Sequence, residues 1–248
     1  MRFSALALTA CMALATPAAA TEIDAMTEAE REAFRAEVRA YLLDNPEVLM
    51  EAIAVLESRQ AEQQAQSDQQ LVAQNADALF DDGHSWVGGN PEGSLTIVEF
   101  ADYRCGYCKK AHPEVMRLIE GDGDIRYIVK EFPILGEQSV LASRFAVAVL
   151  LEAGNAAYEE VHDTFYTGFR GEVTAASLER LAKDVGLDAG AVLARMDTDE
   201  VTDILRANQE LGRTLGISGT PTFVIGDQLI RGYVPFDAMT QIVEEVRG

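Results

Sequence analysis

The sequence predicts an α/β fold: one sheet with helices on its faces, a helical insertion between the two halves of that sheet, and a helical segment ahead of it. Three observations carry this reading. Short apolar runs of strand length alternate with longer stretches of helical periodicity. From residue 86 on, the patterns come in the order strand, helix, strand, helical block, hairpin, helix. Before them, residues 27–80 read as helix and end in a glutamine-rich stretch too polar to form a core.

Residues 1–20 are expected to lie outside the fold. Arg2 supplies a positive start, an apolar run follows, and Ala18-Ala19-Ala20 suits a signal peptidase cutting after Ala20. The apolar run is shorter than the roughly 20 residues a spanning helix needs. Export is therefore predicted, with Cys11 and Arg2 removed. The remainder holds 19 Lys and Arg against 41 Asp and Glu, a charge of −22. So acidic a surface disfavours nucleic acid and anionic membranes and favours solubility.

The segment 21–82 reads as a helical oligomerisation unit with a linker. Phe34, Val38, Tyr41 and Leu42 form one stripe. Asn45-Pro46 punctuates it, with Asn45 suited to an N-cap and Pro46 to the first helical position. A second helix carries Val48, Leu49, Ile53 and Leu56, followed by seven glutamines within 60–74. That polar stretch is an exposed helix or a flexible linker. The apolar piece is too small for a core of its own. It either folds back or pairs with copies of itself, and the long spacer favours self-association. The heptad pattern is too short to choose dimer or trimer.

The main domain is expected over 83–248. A turn cluster occupies 88–93, and 95–100 is an apolar run of the kind a buried strand shows. A helix to about 120, a strand over 125–130 and a helical insertion over about 137–215 follow, with breaks at Gly154, 168–171, 186–188 and Asp197. Strands at 222–225 and 229–234 are joined by Gly226-Asp227, a hairpin turn. A helix over 235–246 ends the pattern.

Cys105-Gly106-Tyr107-Cys108 sits between the first strand and its helix. An exported domain stapled by disulfides would show several spaced cysteines, and a bridge across so short a loop removes little unfolded-state entropy. Chemistry explains the pair better. The first turn of a helix presents unpaired N–H groups and partial positive charge, which stabilise a thiolate. Cys105, at the helix tip, is the attacking thiol, and Cys108, facing inward, the resolving one. Half a zinc site is the competing use, but His84, His112 and His162 stand in no zinc spacing. The sequence calls for no metal and no cofactor.

Glu99 interrupts an apolar strand six residues before Cys105. If buried, its raised pKa suits accepting the proton Cys108 must lose; if edge-facing, it is merely solvated. Lys130 is a candidate ion partner for it. His112 is expected on the helix surface. Tyr103 and Tyr107 flank the motif as substrate-lining or packing aromatics. Pro221, lacking an N–H, belongs at a strand start.

Taken together, Val98-Glu99-Phe100, Cys105-Gly106-Tyr107-Cys108, Lys130-Glu131-Phe132-Pro133 and Gly219-Thr220-Pro221-Thr222-Phe223 resemble the DsbA-like branch of the thioredoxin superfamily. The resemblance implies a thioredoxin fold over about 86–248 and a cis Thr220-Pro221 bond facing Cys105. It also implies substrate contacts from Gly106, Tyr107, Thr220 and Pro221, and assigns the buried acid to Glu99. Gly-Tyr between the cysteines and Thr before the proline depart from the strongly oxidising pattern and look like those of periplasmic disulfide isomerases. Residues 41–49 resemble the stalk of the suppressor of copper sensitivity protein C family, which implies a periplasmic isomerase or reductase, a trimer favoured. Its implied partners are cysteine-containing secreted proteins and a membrane thiol reductase as electron donor. A disulfide oxidase and a Cu(I)-binding protein are the competing functions, the second because two thiolates suit Cu(I).

Overall fold

A computed structural model describes residues 26–248. The expected signal peptide, with Cys11, lies outside the described residues. The described residues divide into two compact units, the first ending at Arg59 and the second spanning Gln60–Gly248.

In the first unit, α1 (Glu28–Asp44) opens on a capping box. Thr27 Oγ1 accepts from the Glu30 backbone N–H, and the Glu30 carboxylate accepts from the Thr27 N–H at 2.8 Å. Asn45 closes α1: its side-chain amide and its backbone N–H both donate to Tyr41 O, at 2.9 and 2.8 Å. This corrects the N-cap reading. An open carbonyl at the end of α1 recruits the amide before the next helix can use it. Helix α2 (Glu47–Gln74) starts one residue after Pro46. No residue of α1 is buried, and Phe34, Tyr41, Leu49, Met50, Ile53 and Leu56 are all exposed.

The glutamine-rich stretch is helix, and its last turns are not fully solvated. In the second unit Val72 and Leu79, the latter from α3 (Ala76–Phe80), cover Val98, Phe100, Ile128 and Val224. Each such burial stabilises by roughly 1.5–3 kcal/mol. Arg231 clamps buried Asp68 in two hydrogen bonds of 2.7 and 2.9 Å.

Five strands form the sheet: β1 (Trp86–Gly89), β2 (Leu95–Ala101), β3 (Ile125–Glu131), β4 (Thr222–Ile225) and β5 (Gln228–Arg231). Their order is β1-β3-β2-β4-β5, with β2 and β3 parallel and the other pairs antiparallel. The parallel pair requires a crossover, supplied by α4 (Gly106–Asp122). Strand β1 was not expected, because its paired glycines read as turn; the ladder with β3 overrides them. The hairpin forms at the expected turn, with Gly226 at φ 60 taking the positive angle it needs, but its second strand ends at Arg231 and not at 234, where the chain leaves the ladder toward the last helix.

The insertion is five helices, α5 (Glu137–Ala153), α6 (Asn155–Thr167), α7 (Ala175–Asp184), α8 (Ala189–Met196) and α9 (Asp199–Thr214), broken where the sequence predicted. Helix α10 (Phe236–Arg247) ends the chain. Alternation along the strands gives the sheet two cores. Ile97, Tyr127, Val129 and Phe223 pack under α4 and the insertion, while the other face meets Val72 and Leu79. On that second face α9 approaches closely at Gly212, where a Cβ would stand 2.3 Å from the Phe132 ring. Among the described residues, no helix is long and apolar enough to cross a membrane.

Candidate active site

Strand β2 ends at Ala101, and the chain turns through 102–105 into α4. Asp102, fully buried, holds that turn. Its carboxylate accepts from the N–H of Arg104 at 2.8 Å and from those of Ile134 and Leu135 at 2.8 and 3.1 Å, and its carbonyl accepts from Cys105 N at 3.0 Å. Cys105 is thereby the N-cap of α4, with extended backbone and no side-chain cap, so the first N–H groups of the helix face its sulfur. The turn is a fixed cradle for one thiol.

The two thiols are reduced and inequivalent. Cys105 is 7% exposed and Cys108 0%. A hydrogen bond from Cys108 is the main cause that brings the Cys105 thiol down to about 5; Thr220 and the N–H groups of Cys108 and Tyr107 help, against burial. Cys108 is pushed far up, first because it holds the proton of that shared bond, then by burial and the Glu99 charge. One thiolate and one thiol are the starting state for nucleophilic attack followed by resolution. The Cys105 Sγ also lies 3.1 Å from Thr220 O, and the Thr220–Pro221 bond is cis. Gly106 and Tyr107 are exposed beside it, Gly106 with open space where a side chain would stand.

Glu99 is 2% exposed, on the sheet face that carries the thiols. Burial raises its carboxyl to about 7, with the charge of Cys105 adding, while the Tyr127 hydroxyl donates to it and opposes the rise. Lys130 is not its partner. Glu99 registers with Val129, so Lys130 falls in the opposite phase and points to the other face. There its ammonium, fully buried, meets Asp82 and donates to Ala78 O at 2.7 Å. His112 is not a surface residue either. It is 4% exposed, stacks against Tyr166, and meets Asp163 at 3.0 Å. His162, Asp163 and Tyr166 of the insertion helix α6 lie against the helix face that carries it.

A second buried acid went unremarked as a site residue. Glu131 accepts from Tyr103 at 2.6 Å and Tyr158 at 2.5 Å, and burial raises it to about 7. Tyr103 also meets His162 Nδ1 at 2.9 Å, so it is a packing aromatic in a polar network and not part of the exposed surface. The available signal was phase: Glu131 alternates with Tyr127 and Val129 on the face that β2 lends to the thiols. Among the described residues no group of three or more His, Cys, Asp or Glu is placed to hold a metal ion.

The thioredoxin family model matches residues 81–245. The chain belongs to the thioredoxin family. Ahead of this thioredoxin domain, residues 30–63 match the model of the copper resistance protein ScsC N-terminal domain. Among solved structures, a thioredoxin-like oxidoreductase from Silicibacter pomeroyi DSS-3 is 38% identical, with 69% of this chain and 96% of that one covered and a TM-score of 0.65. Proteus mirabilis ScsC in a transitional conformation is 34% identical over 89% of this chain and 98% of that one, also at 0.65. Disulfide bond formation protein D of Bacillus subtilis is 24% identical over 171 residues, 65% of this chain and 77% of that protein. The chain spans about a quarter of the length of the first curated relatives it matches, Na(+)/H(+) antiporters of Salinispora species. The thioredoxin sheet, α4 and the redox turn all lie within the family match.

Proposed function

We propose that this chain is a periplasmic thiol–disulfide oxidoreductase, acting as a disulfide isomerase or reductase on cysteine-containing secreted proteins. The observation that carries the thiol–disulfide exchange chemistry is the asymmetry of the pair: a Cys105 thiol at the α4 N-terminus, beside Thr220 O at 3.1 Å, brought down to about 5 next to a buried Cys108 held protonated. The Cys105 thiolate attacks one sulfur of a substrate disulfide. A Cys105–substrate bond forms, the substrate S–S bond breaks, and the other substrate sulfur leaves as thiolate. In shuffling, a second substrate thiolate displaces Cys105. In reduction, Cys108 gives its proton to Glu99 and displaces the substrate, and a membrane thiol reductase would restore the dithiol. Thr220 and Pro221 present backbone to the substrate strand, with Gly106 and Tyr107 on the opposite rim.

The isomerase reading leans on the first unit. Its exposed Phe34, Leu49, Met50 and Ile53, and its match to the N-terminal domain of ScsC, favour a homo-oligomer, with a trimer preferred. Several sites on one particle suit shuffling. The expected domains are a signal peptide over 1–20, the oligomerisation segment and linker over 21–82, and the redox domain over 83–248. One observation favours an oxidase instead: a strongly stabilised thiolate makes the reduced form stable and the disulfide oxidising.

The test is reactivation of scrambled ribonuclease by pre-reduced protein, beside a Cys105→Ala control. Cys105-dependent recovery supports the isomerase. Rapid oxidation of reduced ribonuclease by protein first oxidised to its Cys105–Cys108 disulfide, which is reduced to the dithiol in the exchange, without shuffling by the reduced form, moves the assignment to the oxidase. Stoichiometric Cu(I) uptake with neither activity moves it to copper binding.

A further inference from the structure

The redox domain carries a groove beside Cys105 that the exchange chemistry itself does not require. It has a volume of about 190 Å³. Its wall is apolar, built by Phe165, Phe169 and Val173, and its rim carries Arg104 and Lys109. Phe169 is shared with a second depression of about 290 Å³, whose lining also holds Arg170, Arg180 and Asp184. The linings of the two depressions, joined at Phe169, together hold four cations and one carboxylate, Asp184.

These cations are placed against the trend of the chain, whose formal charge is −21. None of the ion pairs among the described residues involves Arg104, Lys109, Arg170 or Arg180. Arg104 is held over the groove by a hydrogen bond to Gly171 O at 3.1 Å, and Arg170 is tied locally to Phe169 O and Thr167 O at 2.8 Å each. Lys109 stands on the first turn of α4, its backbone N–H bonded to Cys105 O at 3.0 Å. All four side chains are exposed. The chain as a whole is acidic, whereas four cations stand against one carboxylate in the lining of these two depressions.

We propose that this groove selects substrates: it takes an extended polypeptide segment with an apolar or aromatic side chain next to its cysteine and acidic residues beyond. The apolar side chain fills the notch of Phe165, Phe169 and Val173. The acidic residues meet Arg104 and Lys109 near the sulfur and Arg170 and Arg180 further along. This inference rests on the exchange reaction proposed above and names the substrate class of that same site.

The experiment uses pre-reduced full-length protein without residues 1–20 and three peptide disulfides. They share Phe beside the cysteine and carry Glu, Ser or Lys at the flanking positions. Each rate is divided by the rate of the same peptide with 2-mercaptoethanol, which removes the peptide's own leaving-group effect. The Glu peptide should react on the order of 10-fold faster than the Lys peptide at low salt, with the gap closing toward 0.5 M salt, about the lower end of electrostatic steering. The Arg170→Glu/Arg180→Glu variant, altered away from the thiols, should lose or invert this order while reacting normally with 2-hydroxyethyl disulfide. Lys109→Gln is a second probe should the 167–171 loop shift. Equal normalised rates for the Glu and Lys peptides, with normal reaction toward 2-hydroxyethyl disulfide, overturn the groove and leave the redox reading standing. Failure with every disulfide, hydroxyethyl included, overturns the redox reading itself.

Discussion

The two units of the chain put the wrong chemistry in the wrong place in opposite ways. The first exposes Phe34, Leu49, Met50 and Ile53 along helices of which α1 buries nothing. The second buries Glu99, Asp102, Lys130 and Glu131 almost completely. Neither arrangement favours an isolated, inert fold. Apolar side chains in water call for a partner surface. Ionisable groups out of water are tolerated only where hydrogen bonds or pairing hold them, and such groups concentrate at sites that move protons. One region is therefore built to meet something, and the other to do something.

The sharpest way to break this contrast is to disable each side in turn. Cys105→Ala should reduce disulfide exchange to the level of the buffer in an insulin or scrambled ribonuclease assay. Cys108→Ser should instead keep the Cys105 thiolate and accumulate mixed disulfides, seen as a mass increase under non-reducing conditions. Alkylation of Cys105 by iodoacetamide should titrate with a midpoint near 5; a midpoint near the 9.0 of a free thiol would remove the proposed nucleophile. On the other side, Leu49→Glu with Ile53→Glu places two charges on the exposed apolar stripe. Sedimentation should show a fall to monomer with alkylation unchanged. A wild-type chain that is already monomeric would end the oligomer reading.

Much of this contrast is legible in the sequence, and where it is not the cause is the same each time. The Cys105 turn, the strands of β2 and β3 and the glycine breaks of the insertion depend on neighbours close in the chain, so local pattern finds them. The destinations of Lys130 and His112 depend on which sheet face and which helix cover them. Lys130 is one residue out of phase with Glu99, and only β-register shows that this sends it to Asp82. His112 looks like a surface residue until α6 closes over it and supplies Asp163. Glu131 hides at a strand end, because its partners Tyr103 and Tyr158 are 28 and 27 residues away. Strand β1 is lost to its own glycines, and Val72 to the glutamines around it.

A smaller effect separates the buried acids from the rest of the charge. Glu99 and Glu131 are both raised from 4.5 to about 7. Such a group contributes stability that is fully present below pH 4.5 and is lost as pH rises through 7. Cys105, depressed to about 5 from 9.0, works the other way: its contribution is present above 9 and lost as pH falls through 5. Urea unfolding of Glu99→Gln and of Glu131→Gln, in the reduced protein, should therefore improve relative to wild type between pH 4.5 and 8. The expected swing is on the order of 2 kcal/mol for each. A swing in only one variant would assign the shared charge to that carboxyl. At neutral pH, Glu99→Gln should also prolong the mixed disulfide, since Cys108 loses its proton acceptor; Glu131→Gln, which acts on Tyr103 and Tyr158, should not.

The smallest effect decides where the contrast ends along the chain. Helix α2 begins in the first unit and finishes in the second, where Asp68 is 7% exposed at its side chain and takes both Arg231 bonds. A paired, hydrogen-bonded carboxylate of this kind should contribute about 1 kcal/mol, less than a fully buried pair because the Arg231 side chain is 38% exposed. Arg231→Met keeps the apolar stem over the helix and removes the fork. Amide exchange over residues 68–74 should then quicken several-fold, while α1 and the alkylation of Cys105 stay as they were. If residues 47–59 of α2 quicken equally, the helix opens as one piece and the boundary between the two units is not at Arg59. If only the last turns respond, the end of α2 is held by the sheet, and the exposed apolar face begins where that hold stops.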